Sequence, residues 1–195
     1  MIYCAAQLVD MLKNYSNPLA KISRMIKKGE LYSLTRGLYI DDKNISGMYI
    51  AGALYGPSYL SFNTALAYHG MIPETVYSFA SATCDKLKKK TYKNVLGTFY
   101  YRDVPQDAFP YGVEVVESGE YSFLMATKEK ALCDKLYELP VVKNTKELEK
   151  MLFEDLRIEN SCFETVVKED IYFLSSKYRS TNVYMLEKYL RRLKQ

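Results

Sequence analysis

The stretch KISRMIKKGELYSLTRGLYI, residues 21–40, gathers Lys21, Arg24, Lys27, Lys28 and Arg36 around two glycines and ends in apolar and aromatic residues. Cations at this density are suited to charge-assisted hydrogen bonds with phosphates and, in a major groove, with guanine edges. At 100° per residue, Leu19, Ile22 and Ile26 fall on one face of a helix, with Met25 at its edge, and Lys21, Arg24 and Lys28 fall on the opposite face. Ser23 and Lys27 lie between, where short or flexible donors meet a phosphate backbone. One face is thus expected in a core and the other beside a polyanion; the plainer reading of the helix alone is a solvated basic face.

The neighbouring elements must position these groups. Asn17 is a good N-cap, Pro18 suits the first helical position, and Gly29 can close the far end in a left-handed conformation. Ahead of it, Ile2, Ala5, Leu8, Val9 and Leu12 recur at helical spacing, which predicts an amphipathic helix running out near Asn14. After it, ELYSLTRGLYI reads as two short strands about a turn at Thr35–Gly37, with Arg36 at its tip. Helix, helix, glycine, strand, turn, strand is the order of a winged helix-turn-helix, in which the second helix enters the groove and the hairpin lies beside it. Tyr32, on a wing strand, would reach a phosphate, whereas Tyr39 would pack. The polar run Asp41–Ser46 sets the expected boundary: a winged-helix DNA-binding domain over 1–43 and a second domain over 44–195.

The second domain reads as α+β. ISGMYIAGALYG and SFNTALAYHG suggest helices, the latter capped by Ser61 and stopped by Gly70. TVYSFASAT, GTFYYRDV, GVEVVES and YSFLMA are β-branched and aromatic runs between turn signals, which predicts a mainly antiparallel sheet. TKEKALCDKLYEL, with Thr127 as N-cap, opens a helical tail that continues through TKELEKMLFEDL, ETVVKEDIYFLSSKY and TNVYMLEKYLRRLK.

Composition limits the function classes. The chain has 195 residues, 48% hydrophobic and 26% charged, enough to bury a real core. Cys4, Cys84, Cys133 and Cys162 are far apart without a C-x-x-C, and the single histidine, His69, has no cysteine near it. That argues against a zinc site, predicts neither metal nor cofactor, and suits reduced thiols in a cytoplasm. No segment approaches a membrane span. A formal charge of +4 with a pI near 8.7 is only mildly basic, so the placement of charge has to decide the partner.

Other constellations are weaker. CDKLKKKTYK carries Lys86, Lys88, Lys89, Lys90 and Lys93 between two expected strands, a cationic loop that could touch flanking nucleic acid or an acidic protein surface, or simply be solvated. On the last helix Val183, Leu186, Leu190 and Leu193 form an apolar stripe, leaving Lys188, Arg191, Arg192 and Lys194 to solvent or a partner. Glu129, Lys130 and Asp134 could make a metal or acid–base cluster, but Lys130 and Asp134 at i, i+4 are also an ordinary helical ion pair. A nuclease would need carboxylates converging on a divalent cation. Asp103, Glu114 and Glu117 lie on or near expected strands, with no lysine in place. G-x-G-x-x-G, P-loop and G-x-S-x-G motifs are absent, so catalytic residues are not expected.

Taken together, AKISRMIKKGELYSLTRGLYI, YGPSYLSFNTALAYHGMIPETVY, GTFYYRDV and MATKEKALCDKLYEL resemble, in order and at about its spacing, the AbiE-type antitoxins (AbiEi) of bacterial abortive-infection, type IV toxin–antitoxin systems. The resemblance covers most of the chain and departs in a short N-terminal segment. It implies a non-enzymatic protein whose winged helix binds operator DNA at inverted repeats, two copies together, and represses its own operon. It also implies a C-terminal domain that neutralises a nucleotidyltransferase-like toxin, directly or indirectly. The DNA contacts then fall on Lys21, Ser23, Arg24, Lys27, Lys28, Tyr32 and Arg36. Two alternatives stay open: a metal-dependent nuclease or nucleic-acid-modifying enzyme that docks through the basic module, and a transcription regulator without a toxin partner.

Overall fold

Asn17 and Gly29 bracket the basic helix in the computed structural model, which describes residues 1–74 and 76–193. Asn17 Oδ1 accepts from the Ala20 amide at 3.0 Å, Pro18 takes the first position, and Gly29 ends the helix at φ 73°. The preceding segment departs from the expected continuous helix. Ile2–Cys4 is a strand, β1, and only Ala5–Met11 is helical, α1. The reason is a non-local partner: Ile2 pairs with Ile40, Tyr3 with Tyr39 and Cys4 with Leu38. With α2 (Pro18–Lys28), β2 (Tyr32–Thr35) and β3 (Leu38–Ile40), the opening segment is strand, helix, helix, strand, strand, closed by an antiparallel sheet of order β1-β3-β2.

Two cores meet in this segment. Leu8, Ile22 and Leu31 form a small cluster between α1, α2 and the sheet, with Met25 and Ile26 packed against it. Leu34 and Ile40, on the sheet, belong instead to the main core of the remaining chain. Leu19, expected on the buried face of α2, is 66% exposed: it lies in the first turn and is not among the residues packed against the small core.

The rest comprises α3 (Met48–Leu54), β4 (Tyr59–Leu60), α4 (Phe62–Tyr68), β5 (Ser78–Thr83), β6 (Lys90–Asn94), β7 (Gly97–Asp103), β8 (Val113–Ser118) and β9 (Tyr121–Ala126). Helices then follow: α5 (Lys128–Glu138), α6 (Thr145–Lys150) running on into a π-helical turn (Met151–Asp155), α7 (Asn160–Glu164), α8 (Lys168–Tyr178) and α9 (Thr181–Arg192). The class is α+β. The six-stranded sheet has the order β6-β7-β5-β4-β9-β8 and is mixed, with β5 parallel to β7 and β4 parallel to β9. β8 and β9 pair as an antiparallel hairpin, whereas the two strands expected to flank the lysine-rich loop, β5 and β7, run parallel, and the end of that loop is itself a strand, β6, antiparallel to β7. What local patterns could not show is that β7 returns between β6 and β5.

Ser61 precedes α4 but does not cap it; its hydroxyl is drawn to Asp134 instead. Thr127 does cap α5, accepting from the Lys130 amide at 3.3 Å. In α9, Val183, Leu186 and Leu190 are buried as expected, whereas Leu193 is exposed at the helix end. Among the described residues no helix is long and apolar enough to cross a membrane.

Candidate nucleic-acid interface

On α2, Ser23, Arg24, Lys27 and Lys28 are exposed and Lys21 is half-buried, while Ile22 is buried on the other side. The cations are lightly held. Lys21 Nζ lies 5.2 Å from the centre of the Tyr15 ring, Arg24 Nε donates to the Ala20 carbonyl at 3.3 Å, and Lys28 Nζ is 3.9 Å from Glu30. Contacts of this kind between exposed side chains contribute about 0–1 kcal/mol each and break readily in favour of a stronger anion.

Arg36 stands at the tip of the β2–β3 turn, exposed, beside Gly37 at φ 86°. The turn is anchored at its base, because the Ala5 amide donates to the Gly37 carbonyl at 2.9 Å. Start of α1 and tip of the hairpin are thereby tied together. Tyr32 is half-buried at the foot of α2, its hydroxyl 3.8 Å from where a Cβ on Gly29 would lie. Tyr39 packs against the small core. The seven residues singled out from the sequence therefore occupy one helix and the adjoining hairpin.

The second basic patch does not survive as one loop. Lys90 and Lys93 lie on β6, an edge strand, and Lys86 folds back, donating to the Gly56 carbonyl at 3.2 Å with its ammonium 5.4 Å from the Tyr55 ring centre. Lys88 and Lys89 are exposed. On α9, Arg191 bonds Glu187 at 2.9 Å and stacks over Tyr172 at 4.1 Å, and Arg192 donates to Thr145 at 3.1 Å, so both guanidinium groups are engaged within the helical tail. Lys194 lies outside the described residues.

The cluster treated as an ordinary helical ion pair proves to be a buried network. Lys130 and Asp134 are both fully buried, Nζ to Oδ1 3.5 Å. Lys130 also donates to the Ala108 carbonyl at 2.7 Å and the Tyr178 hydroxyl at 2.6 Å. Asp134 accepts from Ser61 at 2.6 Å, Tyr59 at 3.1 Å and the Tyr178 hydroxyl. Burial pushes the Asp134 carboxyl above its ordinary range and the Lys130 ammonium below its own, while each partner pulls the other back toward the charged form. Glu129, also buried, accepts from the Val167 amide at 2.9 Å. The network ties β4 and α4 to α5 and α8, a structural role. No local signal marked it: Ala131, Leu132, Cys133 and Leu136 cover little more than half of the α5 circumference and leave Lys130 and Asp134 together on the remaining arc, where a solvated i, i+4 pair would also sit.

Asp103, Glu114 and Glu117 do not converge, because β5, β4 and β9 separate β7 from β8. Asp103 instead accepts from Thr83 and from the Leu87 amide, both at 2.6 Å. Among the described residues no three His, Cys, Asp or Glu side chains are grouped to hold a metal ion. No protein-family model matches the chain, and no curated protein matches it.

Proposed function

We propose that the chain is a DNA-binding antitoxin of the AbiE type, which represses its own operon and neutralises a nucleotidyltransferase-like toxin in the cytoplasm. The observation that carries the DNA half is the exposure of Ser23, Arg24, Lys27 and Lys28 on a helix whose opposite face is locked into the core by Ile22. Strand β1, pairing with β3, supports a winged helix-turn-helix, because a three-stranded sheet then backs the two helices and aims α2 outward.

In this reading α2 enters the major groove, with Arg24 reaching a guanine edge and Lys21, Lys27 and Lys28 on flanking phosphates. Arg36, held at the hairpin tip, meets the adjacent minor groove or its phosphates. Two copies on inverted repeats would place two such helices about one helical turn apart. The antitoxin half rests on the resemblance of the SYLS and ATKEKAL segments, which contribute Ser61 and Lys130 to the buried network that braces the second domain. Two experiments test the reading: a binding titration on the DNA upstream of the protein's own reading frame, and co-expression with the neighbouring reading frame. Rescue of toxicity by the chain supports the antitoxin; failure to rescue removes it and leaves a repressor.

A further inference from the structure

Successive residues of a strand point to opposite faces. The pairs Ser78–Thr98 and Ala80–Tyr100 between β5 and β7, and Thr91–Tyr100 and Lys93–Thr98 between β7 and β6, therefore put all of these residues on one face of the sheet, with Arg102 further along β7. The other face carries Phe99 and Tyr101 into the core and, through Asn94, contacts Leu34 of the hairpin at 3.4 Å. Helix α4 covers β5 and stops there. Beyond it Tyr100 and Thr98 are half-buried and Thr91 and Lys93 exposed.

At the covered end this face runs into a cleft of about 250 Å³ where Arg102, Lys135 and Glu138 meet, with Phe62 and Asn63 opposite. Arg102 is partly satisfied: its Nη1 donates to the Tyr101 carbonyl at 3.0 Å, but its Nε, shut off from solvent, finds no hydrogen-bond acceptor and lies 3.6 Å from Glu138. Lys135 also lies 3.6 Å from Glu138, so one carboxylate serves two cations and the group keeps a net positive charge. Phe62, at the cleft wall, is held at φ 53°, a strained conformation for an aromatic residue.

Charge and aromaticity are ordered along the face. The Arg102 guanidinium, two residues along β7, lies 5.8 Å from the Tyr100 ring centre, and Lys93 is the diagonal neighbour of Tyr100 on β6, about 7 Å away. Among the described residues of β5, β7 and β6 on this face none is a carboxylate, and Glu138 of α5 meets Arg102 only at its end. A stacking ring between two cations is how sheet platforms hold single strands, with bases on the ring and phosphates on the cations. A duplex has no unstacked base to offer.

We propose that this face of β5, β7 and β6 binds a short single-stranded nucleic acid, one base stacking on Tyr100 and its flanking phosphates meeting Lys93 and Arg102. The site is separate from the basic face of α2 and does not rest on the operator-binding reading. Fluorescence anisotropy of the full chain with labelled eight-nucleotide RNA and DNA strands of mixed sequence, at low salt, tests it. Saturable binding is expected, weakened roughly tenfold by Tyr100→Ala and retained by Tyr100→Phe, which keeps the stacking ring. Lys93→Ala, at an exposed position that leaves folding intact, should weaken binding and shallow the log–log salt dependence by about 0.7. Arg24→Ala should leave single-strand affinity unchanged. The proposal is overturned if neither strand binds saturably, if Lys93→Ala and Tyr100→Ala bind like the parent, or if Arg24→Ala abolishes single-strand binding, which would assign it to α2.

Discussion

The Tyr178 hydroxyl sits between Lys130 and Asp134, accepting from the ammonium at 2.6 Å and donating to the carboxylate, so that α8 completes an ion pair formed one turn apart on α5. No water is needed to satisfy the pair, because the Ala108 carbonyl and the Ser61 and Tyr59 hydroxyls take the remaining bonds. Breaking it from one side leaves a charge stranded in the core. Lys130→Met is expected to destabilise the fold by about 3–5 kcal/mol in urea unfolding. Lys130→Met with Asp134→Leu should recover only part of that, since three hydroxyls then lose their acceptor at about 1–3 kcal/mol each. Equal stability of Lys130→Met and the parent would show that the pair is not buried as described.

Alkaline stability follows from the same network. Burial first, and then the Asp134 charge beside them, raise the phenols of Tyr59 and Tyr178 well above the ordinary 10.0, and burial raises Tyr101 as well. The folded pKa values exceed the unfolded ones, so this contribution is fully present below about pH 10 and is lost as pH rises through the folded values. Following tyrosinate absorbance with pH should show a group of phenols that ionise only as the protein unfolds. Tyr178→Phe should remove one of them; smooth ionisation of every tyrosine near pH 10, with the fold intact, would contradict this.

Two glycines near α3 should respond oppositely to alanine. A Cβ on Gly47 would lie 2.2 Å from the Phe79 ring, so Gly47→Ala should cost about 1–3 kcal/mol through forced repacking. A Cβ on Gly52, inside α3, meets nothing nearer than the Ser58 carbonyl at 4.0 Å, so Gly52→Ala should gain up to about 1 kcal/mol of helix propensity. Thermal melts of both variants decide it; a destabilised Gly52→Ala or a neutral Gly47→Ala would be inconsistent with the packing described.

The two kinds of contact on α2 should separate by salt and by sequence. Lys28→Ala is expected to weaken binding to all duplexes and to reduce the log–log salt slope by about one. Arg24→Ala should instead cost about 1–3 kcal/mol on the preferred sequence and relax the choice of base at one position. Titrations of both variants at several salt concentrations distinguish them, and identical behaviour would remove base reading from Arg24.

Local chemistry made some elements legible. Asn17, Pro18 and Gly29 marked both ends of α2, and the aromatic and apolar run YSFLMA matched β9 residue for residue, because caps and strand-forming side chains are carried by the residues themselves. The misses share a non-local cause. Ile2–Cys4 carries helix-compatible spacing and becomes a strand only because Ile40 and Tyr39 offer it an edge. Lys90 and Lys93 look like loop cations until β7 pairs with their strand, and the parallel register of β5 with β7 depends on a chain crossing that no short window contains. For the candidate interface, the cationic face of α2 was readable and Leu19 was not, since exposure of an apolar residue in a first turn depends on which residues pack against it.

The most direct test is a gel-shift titration of the full chain on the DNA immediately upstream of its own reading frame, with Arg24→Ala and Arg36→Ala alongside. The account predicts retarded duplex at low salt, an affinity that falls steeply as salt rises, and at least a tenfold loss in each variant. No binding to that DNA at low salt, or binding that both variants preserve, would contradict a DNA-reading role for α2 and its hairpin.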